Sequence, residues 1–217
     1  MDSTPSEILK KYWGYDYFHT AQEKVIHNAL QKKDVLALLP TGGGKSICFQ
    51  VPALCIEGIC IVISPLIALM NDQVKTLKNL GIKAEMISSG MSPRQIDIVL
   101  DNCKYGKIKF LYLSPERIKS LFVQARLQQM NINFIAVDEA HCISQWGHDF
   151  RPAYKEIRVI RELAPDAPII AVTATANKKV ANDIIIHLDF NIKNIIRSSF
   201  KRVNIFYQSI QSENKLV

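Results

Sequence analysis

The sequence predicts an α/β fold in which a doubly wound, mainly parallel sheet carries helices on both faces. Apolar runs rich in Val, Ile and Leu recur along the 217 residues and alternate with helical segments, which is typical of strands buried on both sides. A glycine-rich loop, Thr41–Ser46, follows the first run, and the acidic pair Asp138 and Glu139 follows a later one. Ligands bind at the carboxyl ends of strands in such sheets, so these two segments mark the expected site.

The strand predictions rest on apolar runs that are too short for helices and are bounded by polar or glycine-containing turns. The chain contains such runs at residues 34–38, 58–63, 83–87, 109–113, 133–137 and 169–172, with a candidate last strand at 192–196.

Helices are expected between the strands because apolar residues recur there with helical spacing. Thr4 and Glu7 form a capping box around Pro5 at the first helix, Thr20 is the expected cap of the second, and Thr175 that of the last. Pro52 should bend or end the helix that follows the glycine-rich loop. The remaining helices are expected at residues 65–80, 92–103, 115–130 and 152–163.

Composition places the chain among ordinary globular proteins, with 48% hydrophobic and 22% charged residues. Its formal charge of +7 suits either a polyanionic partner or a merely soluble protein. No apolar run approaches the ~20 residues that span a bilayer, and the N-terminus lacks a signal-peptide pattern, so an intracellular protein without a membrane partner is expected. The five cysteines form no C-x-x-C pair, which favours reduced, buried thiols over a zinc site or disulfides.

The glycine-rich loop has the residues of a phosphate-binding loop. Gly42, Gly43 and Gly44 allow the backbone to turn its N–H groups inward, where they and the following helix attract phosphate oxygens. Lys45 would reach the β- and γ-phosphates of ATP, and the Ser46 hydroxyl would contact Mg²⁺. Leu39 stands where the usual pattern has glycine, so the loop is a variant. A turn that only reverses the chain has no use for the Lys-Ser pair.

Two further segments carry candidate chemistry. Asp138 would hold Mg²⁺ through its waters, and Glu139 would polarise the water that attacks the γ-phosphate. Five aromatic residues lie between Tyr12 and Phe18, just before Gln22. Stacked rings and an amide suit a planar base, but the same residues could form a hydrophobic plug with a surface glutamine.

The acidic pair with the following Ala140 and His141, taken with the variant phosphate loop, resembles a superfamily-two helicase core of the DExH kind. The segment 142–152 resembles the aromatic-rich loop of RecQ DNA helicases, and similarity to that family extends over nearly the whole chain. Segment 12–22 resembles the family's adenine-recognition motif, and segment 171–176 resembles the motif that couples hydrolysis to movement. Segments 63–66 with 72–73 and 112–117 resemble its strand-end DNA motifs. The resemblance implies a RecA-like phosphate-loop NTPase fold and ATP-dependent 3′→5′ unwinding of DNA.

The resemblance also implies residue roles. Tyr15 would stack on adenine and Gln22 would read its edge, while His19 stands where the family has arginine and would weaken that recognition. The resemblance implies that four residues couple the ATP site to movement: His141, Gln145, Thr173 and Thr175. It implies that five residues contact single-stranded DNA: Ser64, Arg117, Trp146, Phe150 and Arg151.

For domain organisation, the resemblance implies a RecA-like domain over residues 1–197, with the adenine segment within 1–33. Residues 198–217 would lead to a second RecA-like domain, although Val203 replaces a usual proline. The chain alone is then expected to hold ATP without unwinding DNA, in the bacterial nucleoid or a eukaryotic nucleus. Its parent would act on single strands and their junctions with duplex. Two alternatives remain: another DExH translocase, acting on RNA or chromatin, or a module that binds ATP or DNA without hydrolysis.

Overall fold

The computed structural model describes residues 3–174, 176–190, 194–198 and 208. Within these residues, seven parallel strands form one sheet in the order β3-β4-β2-β5-β6-β1-β7. The strands are β1 (Val35–Leu38), β2 (Ile59–Ile63), β3 (Ala84–Ile87), β4 (Phe110–Leu113), β5 (Ile132–Val137), β6 (Ile169–Thr173) and β7 (Ile195–Arg197).

Helices connect the strands and cover both faces of the sheet. The described α-helices are α1 (Pro5–Trp13), α2 (Thr20–Leu30), α3 (Ile47–Cys55), α4 (Ile67–Asn79), α5 (Pro93–Tyr105), α6 (Pro115–Ile118), α7 (Leu121–Leu127), α8 (Val159–Leu163) and α9 (Lys178–His187). Two 3-10 helices, Ala140–Ile143 and Pro152–Arg158, follow β5.

Alternation along each strand divides the core between the two faces. In β2, Ile61 and Ile63 join one hydrophobic cluster, whereas Cys60 and Val62 join the other, and all four are fully buried. Successive side chains of a strand point to opposite faces, so a parallel sheet covered on both sides needs apolar residues at every position. This requirement explains the continuous apolar runs, and the predicted doubly wound parallel fold is confirmed.

A smaller cluster holds the N-terminal helices against α3. Ile8 and Leu9 of α1 pack with Ile26 of α2 and Val51 of α3, all buried. The capping box predicted for α1 is confirmed, with Thr4 as its N-cap. Through this packing the aromatic segment between α1 and α2 lies beside the phosphate loop, which directly precedes α3.

Two predicted helices have a different form. The segment expected as one helix over 115–130 is α6 and α7, because Ser120 adopts an extended ψ of 115° and begins a new helix. Gln124 Nε2 donates to the Ile118 carbonyl at 2.7 Å, which satisfies an acceptor at the break. The segment 152–163 begins as a 3-10 helix, whose tighter turn includes the bond from Tyr154 N–H to the Arg151 carbonyl at 2.9 Å.

Three predictions concerned helix ends or caps. Pro52 was expected to bend or end α3, and it does not end the helix, which continues to Cys55 with its neighbours buried in the core. The N-cap of α2 is His19, and Thr20 is the first helical residue. Asn177 caps α9 by accepting from Val180 N–H at 2.9 Å, so Thr175 does not have that role. Thr175 and most of the proposed linker 198–217 lie outside the described residues.

The cysteine side chains lie mostly in the interior of the protein. All five cysteines lie in the described part of the chain; none forms a disulfide, four are buried and Cys55 is half-buried. Across the described ranges, no helix has both the length and the apolar character needed to cross a membrane.

A largely buried ion pair joins Asp34, the residue before β1, to Arg161 on α8, next to the start of β6. Asp34 Oδ2 accepts from Arg161 at 2.8 Å, and its Oδ1 accepts from Ile169 N–H at 2.8 Å. The Asp34 side chain is only 7% exposed. One carboxylate therefore aligns the two strands whose carboxyl ends carry the phosphate loop and Thr173.

We expect Asp34→Ala to lower the free energy of unfolding by about 3 kcal/mol, because it leaves the Arg161 guanidinium largely buried without its partner. Urea unfolding followed by circular dichroism measures the change. The control is Asp16→Ala, which removes an exposed pair with Lys10 and should cost less than about 0.5 kcal/mol. Equal losses in the two variants would show that the buried pair has no special role.

Candidate ATP site and aromatic loop

The phosphate loop has the backbone geometry that its glycines suggest. Gly42 and Gly44 have φ of 79° and 68°, in the left-handed region where a side chain would be strained. Gly43 has no positive φ, but a Cβ there would lie 2.8 Å from the Pro40 carbonyl oxygen. Each of the three positions therefore requires glycine, two for conformation and one for space. Lys45 and Ser46 then lead directly into α3.

An ion pair connects the phosphate loop to the end of β5. Lys45 Nζ lies 3.0 Å from Glu139 Oε1, although the two residues are separated by 94 positions in the sequence. The strand order makes this contact possible, because β6 alone lies between β1 and β5. Glu139 itself has φ 46° and ψ 47°, a left-handed conformation that is rare outside glycine and often marks a functional site.

Asp138 is the buried member of the acidic pair, with 3% of its surface exposed. Its Oδ1 accepts from Glu139 N–H at 2.9 Å and its Oδ2 accepts from Gln73 Nε2 at 3.1 Å. Burial, followed by repulsion from Glu139, raises the pKa of this carboxyl group. A cation beside it would offset both effects. Carboxylate and hydroxyl oxygens are the ligands that Mg²⁺ prefers, so Asp138 and Ser46 fit that ion.

Glu139 has the opposite electrostatic environment. Its Oε2 lies 3.2 Å from His141 Nδ1, and this contact, together with Lys45, lowers the pKa of the carboxyl group from 4.5 to about 2 despite partial burial. The two adjacent acids thus differ sharply in proton affinity. If Lys45 paired with a phosphate oxygen instead, Glu139 would lose one of its two cationic or hydrogen-bonding partners. The pKa of Glu139 would then rise, and Glu139 would be a stronger base.

His141 joins the acidic pair to β6. Its Nδ1 also lies 2.8 Å from the Thr173 hydroxyl, and both side chains are buried. The ring stacks on His148 of the aromatic loop, with centroids 4.1 Å apart and planes 16° apart. Two of the four predicted coupling residues are therefore in contact. Gln145 is exposed, and Thr175 lies outside the described residues.

The aromatic loop packs against α9. Ser144 Oγ donates to Asp183 Oδ2 at 2.6 Å and accepts from Trp146 N–H at 3.1 Å. Trp146 remains 61% exposed, and the Lys179 ammonium lies 3.2 Å from its ring centroid. The loop is thus held by α9 while much of the indole is open to a ligand. Phe150 is less exposed than Trp146 and is half-buried.

The other predicted DNA contacts are engaged within the protein. Arg151 donates to the Pro65 carbonyl at 2.8 Å and to Asp149 at 3.1 Å, so it ties the aromatic loop to the segment after β2. Arg117 donates to the Ser88 carbonyl at 2.7 Å. Ser64 is fully buried, and its hydroxyl has no hydrogen-bond partner among the described residues, contrary to the surface position expected for a phosphate contact.

The adenine segment also differs from expectation. Tyr15 is 57% exposed and His19 is exposed, so both are open to a base. Gln22 is buried, and its Nε2 donates to the Gly43 carbonyl at 3.1 Å while its Oε1 accepts from His19 N–H at 2.8 Å. In this conformation Gln22 connects the aromatic segment to the phosphate loop instead of facing outward.

A cleft of about 500 Å³ lies between the phosphate loop and the aromatic loop, with Lys45, Glu139 and His148 among its lining residues. A larger hollow of about 600 Å³, lined by Lys104 and Lys107, lies at the opposite edge of the sheet, away from the paired acids. The smaller cleft is therefore the one lined by the candidate site residues Lys45 and Glu139.

A second possible ion site lies in the aromatic loop, where His141, Cys142 and Asp149 offer ligand atoms within 4.8 Å of one another. Arg151 already pairs with the Asp149 carboxylate at 3.1 Å. Burial raises the pKa of the Cys142 thiol to about 12, which disfavours the thiolate that a metal needs. The cluster is therefore better explained as packing and hydrogen bonding within the loop.

Comparison with known proteins identifies the family. The sequence pattern of the DEAD/DEAH box helicases matches residues 19–184. The chain belongs to the DEAD/DEAH box helicase family. This helicase domain is 45% identical over 206 residues to the ATP-dependent DNA helicase RecQ of Haemophilus influenzae, covering 94% of the chain and 33% of that relative. It is 43% identical over 210 residues to RecQ of Bacillus subtilis, covering 96% of the chain and 36% of the relative.

Solved structures show the same fold. A DUF1998 helicase, MrfA, bound to DNA has a TM-score of 0.72 at 17% identity, covering 90% of the helicase domain and 29% of MrfA. The Hef helicase domain of Pyrococcus furiosus has a TM-score of 0.62 at 20% identity, covering 82% and 37% of the two chains. The RecA-like fold is confirmed, and the chain spans about a third of the length of the RecQ relatives.

Sequence reasoning missed three residues that shape the site: Gln50, Asp183 and Lys179. Gln73 and Tyr112 were noted, but only as parts of DNA motifs. None of them carries a local signal, because each acts through a partner distant in the sequence.

We expect Glu139→Gln to lower the free energy of unfolding at pH 7 by about 1 kcal/mol, since charge-assisted contacts with Lys45 and His141 are lost. Relief of the repulsion on Asp138 keeps the loss small. The folded-state pKa of about 2 lies below the ordinary 4.5, so Glu139 stabilises the fold above that range. The difference between the proteins should shrink as the pH falls from 4.5 towards 2, as measured by urea unfolding at several pH values.

The control is Glu162→Gln, at an exposed position on α8, which should show no such pH-dependent difference. A gap that widens on acidification would contradict the contacts assigned to Glu139.

Proposed function

We propose that the chain is the ATP-binding first motor domain of a 3′→5′ DNA helicase that couples ATP hydrolysis to movement along single-stranded DNA. The observation that carries the proposal is the convergence of Lys45 and Glu139, 3.0 Å apart, beside a buried Asp138. A phosphate loop, a buried metal-type carboxylate and an ionised carboxylate at one sheet edge are the parts that phosphoryl transfer to water requires.

In this proposal the backbone from Thr41 to Ser46 holds the phosphates of ATP, and Lys45 leaves Glu139 for the γ-phosphate. Mg²⁺ held by Ser46 and Asp138 would offset negative charge on the phosphates. Glu139, no longer paired with Lys45, positions the attacking water and takes up its proton. Tyr15 offers an exposed ring on which adenine can stack, with His19 nearby in the same segment.

Coupling would pass through His141. Its ring contacts Glu139 and Thr173 on one side and stacks on His148 of the aromatic loop on the other. A change at Glu139 can therefore reach the loop through direct contacts. Gln145 and Thr175 would extend this connection.

The aromatic loop and the neighbouring strand ends would hold single-stranded DNA. Trp146 would stack on a base, an interaction worth ~1–3 kcal/mol, with Phe150 beside it. Arg117 and Arg151 would reach phosphates only after exchanging their present carbonyl partners, and Ser64 only after becoming exposed. Such contacts grip the backbone without reading sequence.

A second RecA-like domain would complete the motor. The RecQ relatives are about three times as long as the chain, and the H. influenzae match covers 33% of that protein. We infer that a facing domain supplies the arginine that stabilises the γ-phosphate, and that the chain alone neither unwinds duplex nor responds strongly to DNA. We also propose that the protein acts at junctions of single-stranded and duplex DNA, in the bacterial nucleoid or a eukaryotic nucleus.

We expect Lys45→Ala to weaken binding of ADP with Mg²⁺ at least tenfold, or about 1.4 kcal/mol, because a cation beside the phosphates is lost. Isothermal titration calorimetry on the chain measures the change. Lys104→Ala, at the opposite edge of the sheet, is the matched control and should bind as the wild type does. Equal affinity of Lys45→Ala and wild type would overturn the ATP site.

In the protein with both motor domains, we expect Glu139→Gln to keep ADP affinity within about twofold and to lower ATP turnover at least 10²-fold, the scale of general-base catalysis. Turnover is measured with single-stranded DNA, with RNA and with neither. Greater stimulation by RNA would favour an RNA translocase, and retained turnover would exclude Glu139 as the base.

A further inference from the structure

A buried chain of polar side chains ends on Asp138. Gln50 Nε2 donates to the Tyr112 hydroxyl at 3.2 Å, Tyr112 donates to Gln73 Oε1 at 2.9 Å, and Gln73 Nε2 donates to Asp138 Oδ2 at 3.1 Å. Tyr112 is fully buried, Gln50 is 5% exposed and Asp138 is 3% exposed, while Gln73 is half-buried. Four groups from four different elements thus form one continuous path.

The hydrogen bonds in this path have a fixed direction. A tyrosine hydroxyl has one proton, and Gln50 can offer its amide N–H to Tyr112, so the Tyr112 proton goes to Gln73. The amide oxygen of Gln73 is then used, and its N–H₂ must face Asp138. The opposite orientation would place that oxygen against an ionised carboxylate. An ionised Asp138 carboxylate only accepts, and the Tyr112 hydroxyl donates to the other end of the amide, so both partners favour the same orientation of Gln73.

The path also connects the elements that carry the proposed motor. Gln50 lies on α3, which begins at the phosphate loop, and Gln73 lies on α4, which follows the Ser64–Pro65 segment. Tyr112 lies on β4, directly before the segment of Arg117. A displacement of α4 when nucleic acid binds would change the position of the one side-chain donor to Asp138 among the described residues.

We propose that Gln73 and Tyr112 are positioning residues that orient the Asp138 carboxylate for Mg²⁺-nucleotide and tie it to α4. A carboxylate held by a second ring of donors presents its remaining lone pairs in one direction, and loss of such partners typically costs 10–100-fold in metal affinity. The proposal rests on the ATP site proposed above. It gives Gln73 a role in the ATP site in place of the DNA contact expected from sequence.

The test measures ADP affinity of the chain by calorimetry, once with Mg²⁺ and once with EDTA. For Tyr112→Phe and for Gln73→Met, we expect the affinity with Mg²⁺ to fall about tenfold and the affinity in EDTA to change less than about twofold. The double variant should be no worse than Gln73→Met alone, because Tyr112 acts through Gln73. Tyr105→Phe, at an exposed tyrosine on α5, is the matched control and should match wild type.

The possible results distinguish a positioning role from a purely structural one. Equal losses with Mg²⁺ and with EDTA, or additive losses in the double variant, would show that the path only supports the fold, and unchanged affinities would overturn the proposal outright. If Tyr112→Phe fails to fold by circular dichroism, Gln73→Met carries the same decision, since its side chain is half-buried. A wild type that binds no ADP in either condition would refute the proposed ATP site instead.

Discussion

The site depends on the burial of the Asp138 charge. A carboxylate that is 3% exposed and next to a second acid is opposed by desolvation and by repulsion, and both raise its pKa. The surrounding structure offsets this with Glu139 N–H, Gln73 and the nearby Lys45 cation. These groups reduce the free-energy cost of burying the Asp138 charge but do not remove it. A divalent cation bound beside Asp138 would therefore stabilise the carboxylate. The polar path from Gln50 is explained by this constraint, because it ends on Gln73, which donates to Asp138.

The parallel sheet determines which groups lie near the buried Asp138 carboxylate. Because β6 lies between β1 and β5, the phosphate loop, Thr173 and the acidic pair reach the same edge. His141 contacts both Glu139 and Thr173, and so connects the ends of two adjacent strands. Asp34 aligns β1 with β6 from the opposite end, through Ile169 N–H and Arg161. The geometry of the candidate ATP site therefore depends on a contact far from it.

The sequence predicted the fold, and it identified the motifs of the candidate ATP site, because both kinds of signal are local. Apolar runs identify strands, and glycines followed by Lys45 and Ser46 identify a loop whose positive φ values the structure bears out at Gly42 and Gly44. The path from Gln50 to Asp138 could not be predicted, because it joins residues up to 65 positions apart by single hydrogen bonds. Burial of Ser64 and the break at Ser120 depend on tertiary packing, which no periodicity encodes.

Many of the groups that ligands would need already have partners within the protein. Lys45 pairs with Glu139, Gln22 with the Gly43 carbonyl, Arg151 with the Pro65 carbonyl, and Lys179 covers part of Trp146. Each internal partner satisfies a charge or donor that would otherwise be exposed in a cleft. Ligand binding then becomes an exchange of partners, so its net free energy is smaller than the contacts alone suggest. Glu139 contacts both Lys45 and His141, and the His141 ring stacks on His148 of the aromatic loop, so an exchange of partners at Lys45 can change the contacts of that loop, as the proposed coupling of ATP to DNA requires.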